Sequence, residues 1–394
     1  MSDTSCPAEP LGKMPTERPD DRSPVRDVLR SYARDSYVLK GSTCSSEPPE
    51  AFESLIDCAT GIFETDPSPR LARALREFDV SRLDRYTPFP VEAHFKRAIL
   101  DRFRPIGVTE QQLFLGHGSF NLLERVIHKF LKPGAMAGVG PQFGEVPSEF
   151  IAAGGRYHPF RLLEPDAALP VSALEAAVDT GGYSVLYLDN PNNPLGCVFG
   201  RAELERLAAA CDRSGTAFLV DEAFGDYLDD AASAIHLVPH YRTLIVVRSF
   251  SKALGLAGER VGYMFLSAEL ARLYRKIDVP FEPGVVAQTL ALETLADPAW
   301  IESVRGEVRQ AKRRIVDALA RTDIRVLPTH PDVAIMSVYR HGADLMRDFR
   351  RCGIVALAGS NFANTHTDWD DSYCRLRVVH GELVEQLCER IGHV

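Results

Sequence analysis

The chain has 394 residues, 45% of them hydrophobic, which is enough for one large α/β unit with its own core and a smaller second unit. Lysine and arginine number 45 against 54 aspartates and glutamates, and the net charge of −9 argues against nonspecific binding to nucleic acid. No apolar run is long enough to span a bilayer, the first ten residues carry neither a basic nor an apolar leader pattern, and the eight cysteines show no C-x-x-C pair or zinc spacing. The expected setting is the cytoplasm, with reduced thiols and no metal or membrane partner.

Residues 1–50 are rich in Pro, Ser, Asp, Glu and Arg and read as a mobile tail or an arm over a partner subunit, with a short helix near 25–37. A compact pattern follows. Residues 68–78 read as a helix with Leu71, Ala74, Leu75 and Phe78 on one face, and prolines 67 and 69 punctuate its start. Residues 91–103 read as a second helix, and Gly116-His-Gly-Ser119 opens a third with Leu122, Leu123, Val126, Ile127 and Phe130 as its apolar face. Strands and helices then alternate. A strand over 185–188 ends at Asp189-Asn-Pro-Asn-Asn-Pro194, a helix covers 202–210, a strand over 218–220 ends at Asp221-Glu-Ala-Phe224, and a strand over 244–247 ends before Lys252. Asn190 to Asp221 and Asp221 to Lys252 are each 31 residues apart, about one βαβ unit. Polar residues thus recur at successive strand ends, where open α/β sheets hold ligands. A long helix over 298–320 leads to strands at 333–339, 354–357 and 374–379 in a smaller α+β unit. The expected division is a tail (1–50), an arm and the first part of the small unit (51–90), a large ligand-binding unit (91–290) and the rest of the small unit (291–394).

A lysine at the end of a buried strand is costly unless it has a task, and one such task is a Schiff base with an aldehyde cofactor. Ser249 and Ser251 flank Lys252, and Arg260 follows by eight residues, donors suited to a phosphate. Gly118 and Ser119 begin a helix, whose free amides and dipole also favour a phosphate. Asp221 suits a pyridine nitrogen that must stay protonated, Asn193 a ring oxygen, and Phe143, in Gly140-Pro-Gln-Phe-Gly144, a stacking face. Taken singly, Asp221 also reads as a helix cap, Gly118 and Ser119 as a common loop-to-helix turn, and Phe143 as core.

Together the segments Asn190-Pro-Asn-Asn-Pro-Leu-Gly196, Asp221-Glu-Ala-Phe224 and Ser249-Phe-Ser-Lys-Ala-Leu-Gly-Leu-Ala-Gly-Glu-Arg-Val-Gly-Tyr263 resemble the class I/II aminotransferases of pyridoxal 5′-phosphate fold type I. They look closest to the histidinol-phosphate aminotransferase branch and its threonine-phosphate decarboxylase relatives, with order and spacing matched over residues 55–385. The resemblance implies an α/β large domain with a mostly parallel seven-stranded sheet, a smaller α+β domain, pyridoxal 5′-phosphate as cofactor, a small-molecule amino-acid substrate and a homodimer. It implies that Lys252 carries the Schiff base and shuttles protons, Asp221 pairs with the pyridinium nitrogen and Asn193 holds the ring oxygen. Ser249, Ser251, Arg260 and the Gly118 and Ser119 amides would bind the phosphate, with Phe143 stacked on the ring. Tyr86, in Arg85-Tyr-Thr-Pro88, would reach the neighbouring subunit's phosphate. Arg377 would grip the substrate α-carboxylate; Arg375, two residues earlier and on the same face of a strand, is the alternative.

Three positions depart from the family pattern. Phe224 stands where a tyrosine hydroxyl usually touches the ring oxygen, and the decarboxylase relatives resemble this chain there. Gly61-Ile-Phe-Glu64 replaces a segment that usually reads like Asn-Glu-Asn-Pro. Glu282, in Pro280-Phe-Glu-Pro-Gly284, is expected either to meet a cationic group of the substrate or to stand as a solvated rim carboxylate; His380 either faces the pocket or is structural. The expected activity is transfer of an amino group from an amino acid to a 2-oxo acid in a specialised biosynthetic role. The alternative is decarboxylation or β/γ-elimination or replacement on the same scaffold. A cofactor-sensing transcription regulator would need a helix-turn-helix module, for which the Pro-rich first 50 residues are too short.

Overall fold

Continuous apolar runs, buried on both faces, set the layout. In the computed structural model, which describes residues 26, 28–34, 36, 38, 55–366 and 368–394, thirteen strands are present. In chain order they are β1 (Ile56–Asp57), β2 (Leu113–Gly116), β3 (Ala135–Gly140), β4 (Arg156–Arg161), β5 (Val185–Asp189), β6 (Ala217–Glu222), β7 (Leu244–Ser249), β8 (Gly262–Leu266), β9 (Arg325–Val326), β10 (Ile335–Tyr339), β11 (Ile354–Val355), β12 (Leu357–Ala358) and β13 (Tyr373–Arg377). The large sheet has seven strands in the order β2-β8-β7-β6-β5-β3-β4, parallel apart from β8.

Side-chain alternation serves two cores at once. Leu186, Leu188, Phe218, Val220 and Val246 pack on one face, while Val185, Tyr187, Leu219, Ile245 and Val247 pack on the other. The register places Asp189 opposite Asp221, so two carboxylates lie side by side where β5 and β6 end.

A four-stranded antiparallel sheet, β12-β13-β10-β9, forms the second layer. The helix Pro298–Leu319 presents Val304, Val308, Ala311, Ile315 and Leu319 to it at helical spacing, started by the Asp297 side chain, which accepts from the Trp300 amide at 3.2 Å. Lys312 on the same helix is buried and donates to the carbonyls of His330, Val333 and Ile335 at 2.6, 2.8 and 2.8 Å, closing the loop that precedes β10. β1 pairs in parallel with β11, which ties the start of the compact chain to its C-terminal part and carries residues 59–62 across the strand ends.

Of the expected tail, residues 1–25 and 39–50 lie outside the described residues. Residues 26–38, where described, lie against the chain's own helix Glu145–Ala152. Val28–Ser31 is helical, Arg26 donates to the Ala153 carbonyl at 2.5 Å, and the Tyr32 hydroxyl donates to the Ser148 carbonyl at 3.0 Å. These described residues therefore pack on their own chain, held by polar partners more than 100 residues along it.

Candidate active site

The C-terminal ends of β5, β6 and β7 open onto a cavity of about 400 Å³. β7 delivers Ser249, and the turn after it is closed by backbone bonds from Phe250 to Val261 and from Gly255 to Lys252. That turn aims Ser251 and Lys252 into the cavity. Arg260 adopts φ +55°, a left-handed conformation rare for a residue with a side chain, and its Nη1 donates to Ser251 Oγ at 3.2 Å. Gly118 lies against this guanidinium: a Cβ there would stand 2.7 Å from Arg260 Nη2. Gly262 is equally constrained, since a Cβ would meet the backbone of Gly118 and Ser119 at 2.4 and 2.6 Å. The start of the helix Gly118–Arg125 is thus held against β8, beside Ser119, Ser249, Ser251 and Arg260. Helix amides, three hydroxyls and a guanidinium converge at one end of the cavity, the donor set of a phosphate.

Titratable groups occupy the floor. Burial, followed by the positive charges of Arg375 and Arg260, lowers the Lys252 ammonium to about 8, with Asp221 pulling the other way. The Phe224 ring lies 5.1 Å from Lys252 Nζ. Burial pushes the Asp221 carboxyl up to about 7, opposed by the Ala223 amide, which donates to it at 2.9 Å, and by Lys252. Its neighbour Asp189 is also raised to about 7 by burial, against the amides of Asn193 and Phe143, which donate to Oδ2 at 2.9 and 3.0 Å. Asp189 therefore holds the backbone at two positions that the sequence singled out. Only its place before Asn190-Pro-Asn-Asn signalled it.

Ser119, Phe143, Asn193, Asp221, Phe224, Ser249, Ser251, Lys252 and Arg260 all line this one cavity. The remaining expected residues are placed by their partners. Arg375, not Arg377, lines the cavity; its Nη1 donates to Asn193 Oδ1 at 2.9 Å and it also bonds the Ala59 carbonyl. The two arginines do share a strand face. However, the 57–64 segment takes the Arg377 guanidinium, through the carbonyls of Asp57 and Ile62 at 2.6 and 2.9 Å and through Glu64 at 3.2 Å. Glu282, expected to meet a substrate cation or to stand as a solvated rim carboxylate, pairs with Arg125 at 2.5 Å, with His117 at 3.8 Å, and does not line this cavity. His380 lies 3.0 Å from Glu307 and edge-on to Phe63, outside the cavity lining. Tyr86 is 75% exposed and stacks on Phe281 at 4.5 Å, away from its own subunit's cavity.

The cavity lining also includes charged residues that the sequence reading passed over. Arg34 and Glu145 meet at its wall, brought together by the docking of residues 26–38. Gly61 sits at its centre: a Cβ there would stand 3.3 Å from Lys252 Nζ, 3.4 Å from the Phe224 ring and 3.7 Å from Arg375 Nη1.

Comparison with known proteins agrees with this geometry. The aminotransferase class I and II family profile matches residues 53–391. Histidinol-phosphate aminotransferase of Shouchella clausii is 27% identical over 339 residues, 85% of either chain. That of Natronomonas pharaonis is 31% identical over 261 residues, 64% of this chain and 69% of the relative. Among solved structures, histidinol-phosphate aminotransferase from Clostridium acetobutylicum superposes with a TM-score of 0.75 at 17% identity, covering 86% of this chain and 98% of that one. The enzyme of that name from Sinorhizobium meliloti, solved with pyridoxal 5′-phosphate, gives 0.74 at 19% identity, covering 94% and 97%. The fold is that of the fold type I aminotransferases, as the sequence resemblance implied.

Proposed function

The chain belongs to the aminotransferase class I and II family and is a pyridoxal 5′-phosphate-dependent aminotransferase; from that premise we propose which residues carry the reaction and on what substrates. The observation that carries the assignment is the enclosure of Lys252 Nζ between Asp221, Phe224 and Arg375, with the phosphate-type donor set at one end of the same cavity. These residues fit the cofactor. Ser119, Ser249, Ser251, Arg260 and the first amides of the helix Gly118–Arg125 would hold its phosphate, Asp221 its ring nitrogen, Asn193 its ring oxygen, and Phe143 one ring face. When bound, it supplies an aldehyde carbon for amines and a ring that draws electrons from the substrate Cα.

The protein's own part follows from the distances and charges. Arg375 binds the α-carboxylate of an amino acid or 2-oxo acid and turns the Cα–H bond toward Lys252. Lys252 Nζ takes that proton and returns it; an amine lowered to about 8 is in part neutral near pH 7 and can accept it. A cation on the ring nitrogen would keep the Asp221 carboxylate ionised despite its burial, so the two charges stabilise each other. Phe143, Phe224 and Ile62 line the walls and keep water from the reacting atoms.

The same reading includes a homodimer. Tyr86 and Phe89 are 75% and 76% exposed beside Phe281, an apolar face that supports cover by a second copy and delivery of Tyr86 to the neighbour's phosphate. Pairing of β1 with β11 supports a small domain made of 51–90 and 291–394 around a large domain of 91–290. The six cysteines of the described residues are free thiols, which supports a reducing cytoplasm.

The test is a visible spectrum of the purified protein, then a screen of amino donors, with histidinol phosphate first because the curated relatives carry that name. A cofactor band lost in Lys252→Ala, and converted to the amine form by a donor, is the expected result. Carbon dioxide release without amino transfer would overturn the reading.

A further inference from the structure

The cavity wall beside Glu145 holds a guanidinium that the proposed reaction does not use. Arg34 lines the cavity, and its side chain is 36% exposed. A single nitrogen anchors it: Nη2 lies 3.2 Å from Glu145 Oε2 and 2.7 Å from Glu149 Oε1. Both glutamates are buried, and both have their other oxygen engaged. Ser36 donates to Glu145 Oε1 at 2.5 Å, and His128 Nε2 lies 2.8 Å from Glu149 Oε2. The carboxylates are thus saturated from behind. Among the described residues, Nε and Nη1 of Arg34 engage no acceptor.

An arginine fixed at one end by two buried anions, with its remaining donors beside a substrate cavity, has already met the entropic cost of ordering a long side chain. The other cations of the cavity have tasks. Arg260 faces the phosphate cradle, Lys252 the reaction and Arg375 the α-carboxylate. Resting on the aminotransferase reading above, we propose that Arg34 is a specificity residue that binds a distal anionic group, carboxylate or phosphate, on the substrate. A substrate with one anion at its α-end and a second on its side chain would engage both Arg375 and Arg34, which line the same cavity. Residues 26–38 thereby belong to the substrate site, and their docking on the helix Glu145–Ala152 makes one wall of it.

The experiment titrates the cofactor-loaded enzyme with three unreactive probes by calorimetry: glutarate, pentanoate and 4-phosphonobutyrate. Wild type should bind glutarate, the phosphonate or both roughly 10–100-fold tighter than pentanoate, the worth of a charged hydrogen-bond pair. The tighter of the two identifies the group as carboxylate or phosphate. Arg34→Gln should abolish the preference while leaving pentanoate affinity near wild type and lowering Tm, because Glu145 and Glu149 lose their cation, and Arg34→Lys should restore part of both. Equal weakening of all probes in Arg34→Gln would reduce Arg34 to a staple of the wall, and an unchanged preference would remove it from the site; either result overturns the proposal. An Arg34-dependent preference in a protein that transfers no amino group would instead sink the aminotransferase reading and leave this assignment standing.

Discussion

Gly61→Ala isolates the space in which the substrate must sit. Gly61 is outside the left-handed region, so a methyl group costs the backbone nothing. Its Cβ would stand 3.3 Å from Lys252 Nζ, 3.4 Å from the Phe224 ring and 3.7 Å from Arg375 Nη1. The neighbours need give by only a few tenths of an ångström, and reduced freedom of the unfolded chain contributes about 0.4–1 kcal/mol of stability. Folding and cofactor binding should therefore survive. The methyl group, however, would stand between the amine proposed to move the Cα proton and the guanidinium proposed to hold the α-carboxylate. A substrate displaced by about 1 Å loses roughly 100-fold in rate, or about 2.7 kcal/mol of transition-state stabilisation. Steady-state kinetics with the best donor, the visible cofactor band and a thermal melt give the three readouts. The expected pattern is kcat/KM down about 100-fold with the band intact and Tm level or slightly raised. A kcat/KM within about threefold of wild type would mean that the substrate does not pass between Lys252 and Arg375.

Arg375→Lys should raise KM for amino acids roughly 10–100-fold, since a lysine loses the bidentate grip. By contrast, Arg377→Lys should leave KM near wild type and lower unfolding free energy by about 1–3 kcal/mol through the lost bonds to Asp57 and Ile62, read by urea titration. Asp221 has its pKa raised on folding, from 3.8 to about 7, so in cofactor-free protein its protonated form adds stability that is full below about pH 4 and is lost as pH rises through about 7. Asp221→Asn apoprotein should show a flatter Tm profile across that window, and the loaded variant should lose roughly 10²–10³-fold in transfer rate. Lys312→Met leaves the carbonyls of His330, Val333 and Ile335 without their donor and should cost roughly 2–5 kcal/mol of stability while the cofactor spectrum stays unchanged.

Local chemistry was legible in the sequence wherever a residue type had to stand at a strand end. Asn193, Asp221 and Lys252 follow short apolar runs at βαβ spacing, and the geometry brings them to one cavity. The strands β3 and β8 were harder to see. Ala135-Met-Ala-Gly-Val-Gly140 is full of small residues, and both strands are buried on two faces, so neither alternation nor β-branching marks them. Pro298–Leu319 was plain because its apolar positions recur at helical spacing over six turns.

By itself the sequence determined the fold class and the chemistry of the strand ends, because both depend on residue type and short-range order. Which arginine lines the cavity, where Glu282 finds its cation, and what the described part of residues 26–38 covers were decided by the tertiary structure alone. Arg375 and Arg377 are equivalent on their strand until the 57–64 segment engages Arg377 through Asp57, Ile62 and Glu64 and leaves Arg375, bonded to Ala59 and Asn193, on the cavity lining. Glu282 is a free carboxylate until a helix more than 150 residues away brings Arg125 within 2.5 Å. Arg34 belongs to a Pro-rich, charged leader until Glu145 and Glu149 hold it at the cavity wall. In each case a charge must be paired when it leaves water, and the partner lies far along the chain, where no local pattern records it.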